Sequence, residues 1–430
     1  MRKNKRGVKV RTLLKNGIAY VNKEFKRCDI SIEDNLITNI SSFIPEMEND
    51  LVFDLNNYYI LPGLIDVHTH LREPGFIYKE TIYTGSMAGA KGGYTSICAM
   101  PNLKPVPDCM ENLNEEINLI NKTANINVYP YGAITKGELG EELSDLDEMS
   151  NQVVAFSDDG KGIQNEEMML AAMKKAKKLN KIIAAHCEVN SLLNNGYIHD
   201  GEYAKLHNHR GISSASEWKE IERDIALAKG TGVKYHVCHI STKESVELIR
   251  QAKSEGVNIT CETGPHYLLL DDMMLEEDGF FKMNPPIRSK EDRQALIKGL
   301  QDGTIDMIAT DHAPHSLEEK TKGLEKSLMG IVGLETAFPL LYTYLVKEDV
   351  ITFEKLIELM NVNPRKRFEI GTEIKIGEKA DLSVFNLNEQ YKIDSNNFAS
   401  KGRNTPFNGW EVFGKCKLTI CNGKIIFNEW

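Results

Sequence analysis

Residues 64–70 read Leu64-Ile65-Asp66-Val67-His68-Thr69-His70, a short and largely apolar run that closes on two histidines. Runs of similar length recur downstream. They span Thr95–Met100, Ile126–Ile134, Val153–Phe156, Lys181–Ala185, Lys234–Cys238, Asn258–Cys261 and Ile305–Ala309, so Leu64–Val67 is the first of eight. The segments between them carry helical patterns. Glu166–Leu179 (EEMMLAAMKKAKKL) places apolar residues three and four apart, and Glu217–Lys229 is a second such stretch. A third starts at Ser241, with Glu244 three residues on as a capping-box pattern ahead of Val246, Leu248 and Ile249. Strands alternating with helices predict a parallel sheet, and eight of them are what a (β/α)8 barrel needs. An open, doubly wound sheet is the alternative, but no GxGxxG follows the first strand, so no dinucleotide site is indicated.

The two ends of the chain have a different texture. Residues 8–60 alternate short β-rich runs with turn signals, such as Lys15-Asn16-Gly17 before Ile18-Ala19-Tyr20-Val21, followed by Asp29-Ile30-Ser31-Ile32. The C-terminus repeats the pattern in Asp381–Phe385 and Lys417–Ile420, then an Asn422-Gly423 turn before Lys424–Phe427. Neither end alone has enough strands for a stable sheet, so the two should meet in one small β-sandwich domain. The expected division is a β segment over residues 1–60, a barrel over 61–370 and a second β segment over 371–430.

Bulk properties exclude several classes of function. Hydrophobic residues form 41% of the 430, enough for a large core. The net charge of −10 offers no broad basic face for nucleic acid or an anionic membrane. The basic start, MRKNKRGVKVR, lacks the apolar stretch of a signal peptide, and no run approaches the ~20 apolar residues of a membrane span. A soluble, cytoplasmic protein is expected. The eight cysteines form no CxxC pair and read as reduced, mostly buried thiols.

In a barrel of this kind, chemistry sits at the C-terminal ends of the strands. Here the first run ends in His68-Thr69-His70, the fourth in Ser157-Asp158-Asp159, the fifth in His186, the sixth in His239 and the eighth in Thr310-Asp311-His312. The chain has only 11 histidines, so chance accounts poorly for this placement. Residues i and i+2 of a strand share a face, so His68 and His70 can grip one ion. Imidazole and carboxylate without thiolate suit Zn²⁺, with Mn²⁺, Co²⁺ or Fe²⁺ as substitutes. Four histidines and two aspartates exceed the needs of one tetrahedral ion and suggest two, sharing a carboxylate. Each of these residues alone would more often be structural, and it is their joint placement that points to a metal. By strand alternation Cys187 and Cys238 face away from His186 and His239. His236 also faces away and reads as packing. Alternation does not decide between Asp158 and Asp159, because the strand has ended.

These residues sit in segments that resemble the dihydroorotases of the amidohydrolase superfamily, specifically the longer bacterial type. The resemblance runs from about Leu61 to Gly409. It is carried by LPGLIDVHTHLREPG (61–75), AMPN (99–102), AFSDDG (155–160), AAHCE (184–188), HVCHIST (236–242), ETGPHYL (262–268), KMNPPIR (282–288), ATDHAPH (309–315), GLETAF (333–338) and KGRNTPFNG (401–409). HTHLREPG together with AFSDDG is the most diagnostic pair.

The resemblance implies two Zn²⁺ per chain. His68 and His70 would bind the first, His186 and His239 the second, and an aspartate of AFSDDG would bridge them. The family's 27-residue interval before the next histidine selects Asp159. Asp311 would be both a ligand and the catalytic acid/base. Arg72, Asn102 and His315, with His70, would hold the substrate's carboxylate and ring. Asn284, Met329 and Gly330 would be further contacts. The implied reaction is reversible ring opening of dihydroorotate to N-carbamoyl-aspartate by a zinc-bridged hydroxide, run as cyclisation in pyrimidine biosynthesis. A homodimer, and association with aspartate transcarbamoylase, are family expectations. A hydantoinase or allantoinase is the nearest rival, against which Arg72 and an aspartate in place of the superfamily's carboxylated lysine both count. A catalytically silent scaffold is the other, although every expected ligand is present. One departure is visible: relatives carry Pro-Phe-Gly where this chain has Leu328-Met329-Gly330, which bears on loop rigidity. The polar stretch His315–Leu328 reads equally as a solvated loop or a closing lid.

Overall fold

A computed structural model of the chain describes residues 10–430, so most of the basic N-terminal stretch lies outside the described residues. The eight expected strands form as β1 (Leu64–Thr69), β2 (Tyr94–Ala99), β3 (Asn127–Pro130 continuing as Gly132–Ala133), β4 (Phe156–Ser157), β5 (Ile182–Ala185), β6 (Lys234–Val237), β7 (Ile259–Thr263) and β8 (Met307–Ile308). Neighbours pair in parallel from β1 through β3 and from β3 through β8. The ring closes between β8 and β1. Thr69 bridges His312, the His70 N–H donates to the His312 carbonyl at 2.9 Å, and the buried Asp66 carboxylate accepts the Thr310 N–H at 3.1 Å. This is a (β/α)8 barrel, not the open sheet.

Ile65, Val67, Cys98, Met100, Tyr131, Ala155, Ala184 and Met307 fill its interior. Tyr131 stands at the break in β3, and its hydroxyl donates to the Val67 carbonyl at 2.9 Å. Helices such as Ile82–Lys91, Glu166–Lys178, Ala215–Thr231, Lys243–Ser254 and Lys290–Asp302 pack outside. The third expected helix starts later than the Ser241/Glu244 pattern implied. Thr242 is its N-cap, accepting from the Ser245 N–H, while the Ser241 and Thr242 hydroxyls both donate to the buried Glu217.

The chain ends share one eight-stranded sheet. Strand Tyr59–Pro62 lies parallel to Thr12–Val21 on one side and antiparallel to Leu382–Lys392 on the other, so it joins N-terminal to C-terminal strands. The folded sheet encloses its own core of Leu14, Ile30, Ile60, Leu382, Val384 and Leu418. Asn422-Gly423 forms the expected hairpin turn, with both residues at positive φ. Lys15-Asn16-Gly17 does not form a turn. It is a bulge inside the continuous strand Thr12–Val21: the Asn16 N–H donates to Asp29 at 2.8 Å, and a side chain at Gly17 would strike Ile60. Among the described residues, no helix is long and apolar enough to cross a membrane.

Candidate metal centre and its cavity

The C-terminal ends of β1, β4, β5, β6 and β8 converge. His68 Nε2 lies 3.2 Å from Asp159 Oδ1 and 3.6 Å from Asp311 Oδ1. His70 Nε2 lies 3.0 Å from Asp311 and 3.4 Å from Asp159 Oδ2. Asp159 Oδ1, the oxygen that faces His68, is also approached by His239 Nε2 at 3.4 Å and by His186 Nδ1 at 3.9 Å, and these two imidazole nitrogens are 3.0 Å apart. All six side chains are buried. Two of them ride on strained backbone, His239 at φ 33° and Asp311 at φ 48°.

Asp158 turns the other way. Its Oδ1 accepts the Ile134 and Thr135 N–H groups at 2.7 and 3.0 Å, and its Oδ2 the Thr135 hydroxyl. The two adjacent aspartates therefore divide between loop and cluster, with Asp159 facing the four histidines.

The cluster fits a divalent metal. His68 Nε2 and Asp159 Oδ1, which face each other in the cluster, are buried without a properly angled hydrogen bond, a costly state for polar atoms that a cation would relieve. Two donor sets, His68–Asp159–His239 and His68–His70–Asp311, each bring their ligand atoms within 4.8 Å of one another. Electrostatics within the cluster are correspondingly strong. Burial opposes the charge on Asp159 and Asp311, yet the facing histidines hold both carboxyls well below the usual range. Burial likewise works against protonating His186, but Glu188 and Asp159 outweigh it and raise the imidazole to about 9.

Supporting partners orient the imidazoles. His70 Nδ1 contacts Asn102 Oδ1 at 2.8 Å, and His68 Nδ1 contacts Glu262 Oε1 at 2.9 Å. Glu262 Oε2 in turn meets His236 Nε2 at 3.1 Å. Sequence reasoning missed Glu262, although a carboxylate inside an apolar strand was the available signal. His236, read as packing, belongs to this polar chain beneath the centre. Cys238 also differs from expectation. It lies in the barrel interior, its sulfur within 4.8 Å of donor atoms on His68 and Glu262, because the backbone leaves strand geometry at His239 and alternation stops there. Cys187 does face outward, its thiol 3.4 Å from the Tyr235 hydroxyl.

Above the cluster opens a cavity of about 240 Å³, lined by His70, Arg72, Asn102, Asp159, Gly160, His186, His239, Asn284, Asp311, Ala313, His315, Met329 and Gly330. A larger cavity of about 490 Å³ lies on the β domain near Lys91, Glu335 and Tyr391, but none of the strand-end residues lines it. Arg72, at φ 60°, donates from Nε to the Pro314 carbonyl at 3.3 Å and has no ion pair among the described residues. Asn284 lines the far side, its amide 2.7 Å from Glu188. His315 is already committed: its Nε2 donates to the Met329 carbonyl at 2.8 Å, and its Nδ1 accepts from Lys79 at 3.2 Å. Burial, with Arg72 and Lys79 nearby, holds His315 neutral, its imidazole pushed down to about 3.

Residues 58–245 match the family model described as dihydro-orotase-like. The chain is 49% identical to the dihydroorotase of Bacillus cereus (strain AH820), over 97% of this chain and 98% of that protein. The dihydroorotase of Bacillus thuringiensis (strain Al Hakam) matches at the same identity and coverage. Among solved structures it is similar to the L-hydantoinase (dihydropyrimidinase) of Arthrobacter aurescens, with a TM-score of 0.85 and 26% identity over 97% of this chain and 96% of that one. The D-hydantoinase of a Thermus species, with a TM-score of 0.86 and 24% identity over 97% and 95% of the chains, shares the fold. Identity of 49% spread over nearly the whole of both sequences decides the matter, and the chain belongs to the dihydroorotase family.

Proposed function

We propose that the chain is a metal-dependent dihydroorotase that interconverts dihydroorotate and N-carbamoyl-aspartate in pyrimidine biosynthesis. One observation carries this reading: His70, Asp159, His186, His239 and Asp311, with His68 buried beside them, meet at a small cavity that is also lined by Arg72, which has no ion pair among the described residues. A planar guanidinium in a buried wall suits bidentate recognition of a substrate carboxylate. The catalytic unit in this reading is the barrel of residues 61–370, held between β segments 1–60 and 371–430.

His68, His70, Asp159, His186, His239 and Asp311 would hold two Zn²⁺. The ions would supply Lewis acidity and a water whose pKa falls to ~7. Arg72 and Asn102 orient the carboxylate and ring, with His70 and His315 beside them. Asn284, Gly330 and the Met329 N–H contact the ring from the opposite wall. Asp311 is ionised, since the His70 contact and neighbouring imidazoles outweigh its burial, so it can accept a proton. In ring opening, Asp311 takes the proton of the attacking water and delivers it to the departing ring nitrogen as the amide C–N bond breaks. Cyclisation reverses each transfer and releases water. Acid/base catalysis of this kind contributes about 10²–10⁴-fold. A cytoplasmic homodimer, with docking to aspartate transcarbamoylase, completes the reading.

The test is ring opening of dihydroorotate by zinc-replete protein, with hydantoin as the competing substrate. Turnover of dihydroorotate, lost on chelation and restored by zinc, is expected. Turnover of hydantoin alone would overturn the assignment.

A further inference from the structure

The segment after β8 contains a lysine that the site so far does not use. Lys320 is 0% exposed, at the end of the short helix Leu317–Lys320. Its Nζ donates to three backbone carbonyls, those of Lys282 at 2.9 Å, Leu328 at 2.8 Å and Gly330 at 2.8 Å. Three carbonyls take all three N–H groups of an ammonium. The stretch His315–Leu328 is thus pinned at Lys320, while Leu317, Glu318, Thr321, Lys322, Glu325, Lys326 and Leu328 are exposed. It is seated from below as well, because a Cβ at Gly279 would lie 2.3 Å from the Lys320 carbonyl oxygen.

The three carbonyls belong to two different loops, and both line the cavity. Lys282 stands two residues before Asn284. Leu328 and Gly330 flank Met329. The Gly330 N–H donates to the Lys282 carbonyl at 3.0 Å, which stitches the same two loops a second time. That bond occupies the Gly330 N–H, and the neighbouring Met329 lines the cavity. Burying an ammonium is an expensive way to fix a loop unless the convergence of carbonyls itself is needed.

We propose that Lys320 is a positioning residue for the reaction: by gathering the carbonyls of Lys282, Leu328 and Gly330 it holds Asn284 and the Met329 N–H at the spacing the substrate ring requires. This inference rests on the dihydroorotase reading. It carries a pH signature. Burial, with Lys282 adding to it and Asp278 opposing it, lowers the Lys320 ammonium to about 7. The other charged groups nearby are engaged elsewhere: Lys282 with the Glu325 carbonyl, Glu319 with Lys79, and His315 is neutral. Once neutral, the amine has two N–H groups for three carbonyls, so one carbonyl loses its donor and the gathering of the two loops loosens.

The experiment measures KM and kcat for dihydroorotate across pH ~6 to ~9 in the zinc-replete full chain and in Lys320→Met and Lys320→Gln. In the native chain KM should rise as pH passes upward through about 7. Both variants should show a KM raised about tenfold at low pH, without that rise, and kcat within about threefold of native. Metal content should be unchanged. A native KM flat across the range, or a variant KM equal to native, overturns the inference. If neither variant folds, the native profile decides alone. Absence of any dihydroorotate turnover in the native chain would instead defeat the functional reading itself.

Discussion

Glu262 Oε1 stands 2.9 Å from His68 Nδ1, and its second oxygen stands 3.1 Å from His236 Nε2. Burial disfavours the carboxylate, but these two imidazoles more than offset it and bring the group down to about 2. His68 is thereby held in the tautomer that leaves Nε2 free to face Asp159. Carboxylate partners of this kind orient ligating histidines and raise their basicity. Glu262→Gln should therefore weaken metal binding about 10–100-fold while the fold survives. Chelator competition, followed by circular dichroism of the same samples, measures both. Unaltered affinity would remove Glu262 from the centre.

Asp158 and Asp159 should part company under mutation. Asp158→Ala leaves the Thr135 N–H unpaired in a buried loop and the Ile134 N–H with only a 3.3 Å bond to the Ser157 carbonyl, which costs about 1–3 kcal/mol of stability. Its metal content should stay near native. Asp159→Ala should lose metal and activity with a smaller effect on melting. Parallel melting curves and metal analysis check the contrast, and identical behaviour of the two variants would count against the division.

Glu138 is 5% exposed, sits at φ 55°, and has a carboxyl oxygen without a partner. Burial, with Asp158 adding repulsion, raises its carboxyl to about 8. A carboxyl with a raised native pKa binds more protons folded than unfolded, so its ionisation costs stability. The cost is absent below the ordinary pKa of 4.5, grows as pH rises from there to about 8, and is constant above. Glu138→Gln should thus match the native chain near pH 4.5 and exceed it above pH 8 by on the order of a few kcal/mol. Denaturant unfolding at the two pH values reads the difference. A variant less stable at high pH would contradict it.

Arg72 should act on substrate binding. Arg72→Met removes the guanidinium facing the cavity, and KM should rise about 100-fold with zinc content unchanged. Arg72→Lys should recover only part of the loss, since an ammonium cannot make the bidentate contact. Full recovery by lysine would mean that charge alone matters.

Much of the site was legible because its residues fall where β-strands end, and a short apolar run closing on His or Asp is visible without coordinates. His68, His70, His186, His239 and Asp311 came from that rule, and the barrel and joined β ends came from the same periodicity. The failures share a cause as well: each needed geometry beyond strand alternation. Cys238 was misplaced because the chain turns at His239. Asn16-Gly17 carries a turn signature, yet Asp29 and Ile60 make it a bulge. Glu262 and His236 pair across two strands, which no local pattern reports. Lys320 sits in a stretch as polar as any surface loop, and only the three carbonyls around it reveal that it is buried. Asp158 and Asp159 are the same residue type side by side, and the Thr135 loop separates their roles.

The most direct measurement is ring opening of dihydroorotate by the zinc-replete chain beside its Asp311→Asn variant. Asparagine keeps the shape and an oxygen for the metal but cannot accept the proton. The expected result is native turnover, a variant kcat lower by about 10²–10⁴-fold, and near-native zinc in both. A variant that retains native kcat would contradict the proposed role of Asp311, and a native chain inert toward dihydroorotate would contradict the proposed reaction.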